Sequence, residues 1–123
     1  MARNSVVMLT DQGVLNFEGD SIRGDGYYGF SDGLHTVQIS LNNFTGRIYI
    51  QGSLASTPGA TDWFDIKLDG SNPYVEFTSD SSTTAYTFQG NIVFLRAKVD
   101  RSYINPAPPI GTVGTIDNIL LNI

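Results

Sequence analysis

The stretch Leu34-His35-Thr36-Val37-Gln38-Ile39-Ser40-Leu41 alternates in period two, and after Asn42-Asn43 the stretch Phe44-Thr45-Gly46-Arg47-Ile48-Tyr49-Ile50-Gln51 does the same. Such alternation puts one set of side chains on each face of a strand. In the first stretch His35, Val37, Ile39 and Leu41 share a face. In the second, Phe44, Ile48 and Ile50 point inward, and Arg47, Tyr49 and Gln51 point outward. Two consecutive strands, each apolar on one face only, are the signature of antiparallel sheets packed over a core.

The pattern extends outward from there. Trp63-Phe64-Asp65-Ile66-Lys67-Leu68 has Phe64, Ile66 and Leu68 as its inward set, and Tyr74 to Thr78 makes another short strand. From Tyr86 to Val99 the phase changes, with Phe88, Ile92 and Phe94 on one parity and Leu95, Ala97 and Val99 on the other. A strand buried on both faces would account for this, and so would a bulge near Phe94, which is preferred because it leaves Arg96 and Lys98 facing water. The last run, Gly114 to Ile123, sets Asp117, Ile119, Leu121 and Ile123 on one face, with Asn118, Leu120 and Asn122 opposite, and is expected to tie the C-terminus into a sheet. Turn residues separate the runs at Gly24-Asp25-Gly26, Ser31-Asp32-Gly33, Thr57-Pro58-Gly59, Asp69-Gly70-Ser71-Asn72-Pro73 and Ser79-Asp80-Ser81-Ser82. Helix formers are sparse, and only 15% of residues are charged. The expectation is an all-β chain, an antiparallel β-sandwich or jelly roll of about eight or nine strands. Its core is expected to contain Phe44, Ile48, Ile50, Phe64, Ile66, Phe88, Ile92, Leu95 and Val99, in one domain spanning residues 1–123.

Composition removes several classes of function. The chain has no cysteine, which excludes disulfides and thiolate metal sites, and one histidine, which leaves little for a transition-metal centre. A net charge of -5 opposes binding to a nucleic-acid backbone. No apolar run approaches the roughly 20 residues of a membrane span. The run Val6-Val7-Met8-Leu9 stops at Thr10-Asp11, too short for a signal peptide, so the chain is expected to be made in a cytoplasm. No cofactor and no metal are expected.

Several motifs read more simply as structure. Gly29-Phe30-Ser31-Asp32-Gly33, with His35 nearby, matches a nucleophile elbow, but no helix follows it as that elbow requires. His35 on an apolar strand face reads as a hydrogen-bonded packing residue. Arg23-Gly24-Asp25 spells an integrin tripeptide in an ordinary glycine-rich loop, and Asn43-Phe44-Thr45 is a glycosylation acceptor placed in a strand. Asp65, Asp69 and Asp80 lack the ladder spacing of a calcium loop. Asp62 and Asp65 fall on opposite faces and cannot act as a glycosidase pair. No catalytic residue is assigned. The phrases Phe44 to Ile50 and Phe88 to Phe94 share Phe, Gly and Ile at the same offsets, which reads as one packing demand met twice in equivalent strands.

The aromatic residues and prolines are better candidates for contact. Trp63 falls on the outward parity beside Asp65 and Lys67, suited to a sugar or a protein surface, or else roofed by the loop from Ala55 to Thr61. Tyr27, Tyr28 and Tyr103 are candidate anchors. In Asn105-Pro106-Ala107-Pro108-Pro109-Ile110, the prolines Pro106, Pro108 and Pro109 stiffen an extended connector ending at Ile110. The segment is expected either to dock against another subunit or to guard a sheet edge.

The phrases Phe44–Leu54 (FTGRIYIQGSL), Asp62-Trp63-Phe64, Phe88–Val99 (FQGNIVFLRAKV) and Gly114–Asn122 resemble small β-sandwich proteins and domains in the virions of tailed phages, especially contractile-tailed phages of cyanobacteria. The strand order is similar to galactose-binding-like jelly rolls. The resemblance covers residues 37–123 and rests on core phrases, so it carries over no functional residue. It implies a non-enzymatic structural protein of the virion, in a capsid decoration, neck, baseplate, tail or fibre position. Its expected partners are other virion proteins and itself as a homo-oligomer, with no nucleic acid and no membrane. The alternative is a carbohydrate-binding module that attaches to a surface glycan.

Overall fold

A computed structural model of the chain describes residues 5–12, 16–19, 21–24, 33–59, 61–68, 70–101 and 114–122. These form β1 (Ser5–Gln12), β2 (Asn16–Glu18), β3 (Ile22–Arg23), β4 (Leu34–Asn42), β5 (Phe44–Ser53), β6 (Phe64–Ile66), β7 (Val75–Asp80), β8 (Thr83–Gln89), β9 (Phe94–Asp100) and β10 (Thr115–Asn122). Two antiparallel sheets pack face to face as a β-sandwich. The first has four strands in the order β1-β10-β4-β8. The second has six, in the order β2-β9-β5-β6, with β3 also on β9 and β7 also on β5. No helix among the described residues is long and apolar enough to cross a membrane.

The alternating faces meet in one core. Val37, Ile39, Leu41, Ile116, Ile119 and Leu121 of the first sheet face Phe44, Ile48, Ile50, Leu95, Ala97 and Val99 of the second, all of them buried. Each such large side chain gains about 1.5–3 kcal/mol on burial. The chain passes from β4 to β5, and so from one sheet to the other, at a tight corner. Asn43 holds this corner at φ 51°, with its N–H donated to Ser81 Oγ at 2.9 Å. Asn43 is thus an exposed corner residue and not part of a strand.

Several expectations are corrected. The run from Tyr86 to Val99 is not one bulged strand. β8 belongs to the first sheet and β9 to the second, and the ladder switches between them. Gly90 N–H donates to Gly33 O at 2.9 Å, and Val93 N–H to Ser53 O at 3.1 Å. The phase changes because the two halves face the same core from opposite sides. The two similar phrases are therefore not equivalent. Phe44 to Ile50 lies within β5, whereas Phe88 to Phe94 spans the crossover. Register shifts do occur, but in β1 between Val7 and Leu9, in β10 between Ile116 and Asn118, and in the pairing of β7 with β5 between Phe44 and Gly46. The second of these buries Ile116 with Ile119 and Leu121 and leaves Asp117 exposed. Three strands precede residue 34, in a region whose sequence assigns no particular strand, and Met8 of β1 joins the core.

Phe64 departs from the expected core. It pairs with Gly52 at the end of the three-residue edge strand β6 and remains 45% exposed. The space over Gly52 is shared: a Cβ there would lie 2.9 Å from Ile92 and 3.0 Å from the Phe64 ring. Ile92 takes the inner position and the phenyl ring is left at the rim.

The β7–β8 corner is closed by Asp80, whose Oδ1 accepts the Ser82 N–H at 2.7 Å and also the Ser82 hydroxyl. These two bonds hold the carboxyl below its ordinary pKa, the hydroxyl bond contributing most. A carboxylate whose pKa is lower when folded adds stability above its unfolded pKa and loses it as pH falls through the folded one. Asp80→Asn is therefore expected to lower the melting temperature slightly at neutral pH. Melts across an acid series check this: the gap between the two proteins should close below the ordinary carboxylate range of about pH 4.

Candidate functional site

Pairing of β9, β5 and β6 assembles a mixed aromatic and charged surface on the outer face of the six-stranded sheet. The alternation that buries Ile48, Ile50, Ala97 and Val99 turns Arg47, Tyr49, Gln51, Arg96 and Lys98 the other way. Register sets Gln51 opposite Arg96, Tyr49 opposite Lys98 and Arg47 opposite Asp100.

Trp63, half-buried just before β6, anchors one end of this surface. The Arg96 guanidinium carbon lies 4.4 Å from its ring centroid. Arg96 Nε donates to Gln51 Oε1 at 2.8 Å, and Nη1 pairs with Glu18 Oε2 at 2.9 Å. Gln51 Nε2 in turn donates to Asp65 Oδ1 at 2.9 Å. One line of bonds, Glu18–Arg96–Gln51–Asp65, thus crosses β2, β9, β5 and β6 beneath the tryptophan. Gln51 has the outward parity expected of it and is nonetheless buried, because its neighbours' side chains close over it. Arg96 thus supplies a stacking contact on Trp63.

The rest of the face repeats the arrangement. Lys98 Nζ lies 5.3 Å from the Tyr49 ring centroid. Arg47 Nε bonds Glu76 Oε1 at 2.8 Å, and its guanidinium carbon sits 4.3 Å over Tyr74. Tyr74 and Tyr49 meet at 5.6 Å. Burial, and then the charge of Asp100, raise the Tyr49 phenol above its ordinary pKa. The bond to Glu76 raises that of Arg47. The two arginines on this face, Arg96 over Trp63 and Arg47 over Tyr74, are each also paired with a carboxylate, which restrains these side chains before any partner arrives.

Motifs set aside in the sequence take structural places. His35 is fully buried. Its Nδ1–H donates to Gly33 O at 3.0 Å, and its ring stacks on Phe88 at 5.0 Å and 9°. Asp62 Oδ2 accepts the Gly59 N–H at 2.7 Å, while Asp65 serves Gln51. Among the described residues no group of three His, Cys, Asp or Glu is placed to hold a metal ion. Ser31, Asp25 and Asp69 lie outside the described residues, as do Tyr27, Tyr28, Tyr103, Pro106, Pro108, Pro109 and Ile110.

The roots of those segments are nevertheless placed. Residues 25–32 lie between Gly24, whose N–H bonds Val93 O at 2.9 Å, and Gly33. This is the end of the sandwich where β9 begins. Residues 102–113 lie between Arg101 and Gly114, joined by a bond from Arg101 Nη2 to Gly114 O at 3.1 Å. That is the opposite end, where β9 finishes and β10 starts. The two segments are rooted at opposite ends, and Trp63, next to the Phe64–Gly52 pair, stands toward the end where β9 begins.

Periodicity placed Trp63, Arg47, Tyr49, Arg96 and Lys98 outward, but not which would meet, since that depends on β5 pairing with β9. Comparisons with family models, curated proteins and solved structures find no match to this chain.

Proposed function

We propose that the chain is a non-enzymatic structural protein of a phage virion, a capsid decoration, neck, baseplate, tail or fibre component that works through protein–protein contacts. The observation that carries the contact reading is the Trp63–Arg96–Gln51–Asp65 row. Tryptophan, tyrosine and arginine are the residues enriched at binding hot spots, and side chains already held in place lose little freedom on docking. Burial of His35 against Phe88 supports the non-enzymatic part, since a base must reach its substrate. Assignment to a virion rests on the resemblance of the strand phrases to phage structural proteins.

Immunogold labelling of purified phage particles from the organism that encodes the chain tests the location. Binding of the purified chain to particles lacking it tests the face. Trp63→Ala and Arg96→Ala are each expected to weaken that binding at least about tenfold, roughly 1.4 kcal/mol. Unlabelled particles, or unchanged binding by both variants, would overturn the reading. So would hydrolytic turnover by the pure chain that disappears in Ser31→Ala or His35→Gln. The single tryptophan also makes fluorescence specific to this face: quenching by an added glycan would move the assignment to surface attachment.

A further inference from the structure

β8 is the outer strand of the four-stranded sheet, with β4 on one side and no described strand on the other. Its ladder shows which amides face outward. Leu41 N–H donates to Ser82 O at 3.1 Å and Gly90 N–H to Gly33 O at 2.9 Å, in the register that sets Gln38 opposite Ala85. Antiparallel residues alternate between hydrogen-bonded and non-bonded pairs. The even-numbered residues from 82 to 90 therefore direct their N–H and C=O to β4. Those of Thr83, Ala85 and Thr87 point away from the sheet.

Edges of this kind invite pairing with another chain unless they are short, bulged or charged. The other edges here are blunted. β1 carries a register shift, β2, β3 and β6 have three, two and three residues, and β7 carries Glu76 and Asp80 and a shifted register. β8 has none of these features. Thr83-Thr84-Ala85-Tyr86-Thr87-Phe88-Gln89 is seven residues long, without charge, proline or glycine, and its register is unbroken.

We propose that β8 pairs antiparallel with β8 of a second copy about a two-fold axis at Ala85, joining two four-stranded sheets into one. The strand is self-complementary about that residue. Thr83 and Thr87 lie equally far from it, so each Thr83 faces the partner's Thr87, a favourable cross-strand pair. Ala85 meets the partner's Ala85 with small side chains at the axis. These pairs bring together the outward N–H and C=O groups, and main-chain bonds supply the affinity as in other strand additions. The chain carries a net charge of -5, but no charge sits on this edge to oppose a like copy. A closed two-fold contact ends at a dimer. The inference is independent of the virion assignment and of the Trp63 face.

Sedimentation equilibrium of the full chain tests it. The wild type is expected to dimerise reversibly. Ala85→Pro removes an outward N–H that β4 does not use, a place where an edge strand tolerates proline. Ala85→Lys retains the amide and brings like charges to the axis. Each is expected to weaken dimerisation at least about tenfold. If Ala85→Pro does not fold, Ala85→Lys and a cross-link decide. The chain has no cysteine, so Ala85→Cys should give one disulfide-linked dimer on mild oxidation, the facing Cα atoms of such a pair lying about 5.5 Å apart. Gln38→Cys, exposed on the neighbouring strand, should give none. A monomeric wild type overturns the proposal, as does a dimer unaffected by the Ala85 variants that fold or one that Ala85→Cys does not link.

Discussion

Gly114→Ala is expected to prevent the protein from accumulating in folded form. A Cβ at Gly114 would lie 2.0 Å from Asn43 O, 2.3 Å from Asn43 C and 2.5 Å from Asn42 O. These are backbone atoms of the β4–β5 corner, fixed on both sides by buried strands, and no side-chain rotation can clear them. Gly114 also stands at φ +77°, which costs a residue with a Cβ about 1–2 kcal/mol by itself. Relief requires β10 to separate from the corner, and with it the bond from Arg101 to the Gly114 carbonyl. A loss beyond about 4 kcal/mol is expected, a large share of the roughly 5–15 kcal/mol that holds a domain together. Gly70→Ala is the comparison. Gly70 has φ +85° but nothing within 4 Å of its would-be Cβ, so only the conformational cost applies. Soluble yield and urea denaturation of both variants separate the terms. A Gly114→Ala protein as stable as Gly70→Ala would show that the corner yields.

What could be read from the sequence is what depends on one strand and one core. β4 and β5 each face the core once, and their alternation put Val37, Ile39, Ile48 and Ile50 inside and Arg47 and Tyr49 outside without reference to neighbours. The crossover at residues 90–93 was not legible. Two strands facing one core from opposite sides produce the same change of phase as a bulge, and only the ladder partners distinguish them. Arg101 was missed for a different reason. Periodicity assigns charge to water, yet this side chain is 1% exposed, with its guanidinium carbon 4.3 Å over the Phe44 ring. Trp63 was read as outward, but its contact with Arg96 requires β9, β5 and β6 to be adjacent, a fact of long-range register. The proline segment and the paired tyrosines looked like one choice of contact because a sequence does not show that their roots lie at opposite ends of the sandwich.

Phe44→Ala and Phe64→Ala, alike in the sequence, are expected to differ several-fold in their cost. Phe44 is fully buried, meets Phe77 edge-on at 6.2 Å and lies under the Arg101 guanidinium. Its ring fills the space over Gly46, where a Cβ would come 2.9 Å from both the ring and the Arg101 stem. Removing it deletes a large apolar side chain, opens a cavity between the sheets and takes away the surface that a buried cation rests on. Truncation of a buried phenylalanine costs about 3–5 kcal/mol, and loss of the cation's partner places this site at the upper end. Phe64 offers much less to lose. Its ring is at the rim, its inner place is taken by Ile92, and Gly52 beneath it presents no side chain. With nearly half its surface still wet, its truncation is expected to cost about 1 kcal/mol. Denaturant midpoints of the two variants with unchanged m-values measure the difference directly. Equal costs would mean that Phe64 packs inward in solution and that the edge strand β6 closes more tightly over the core than its three residues of ladder provide.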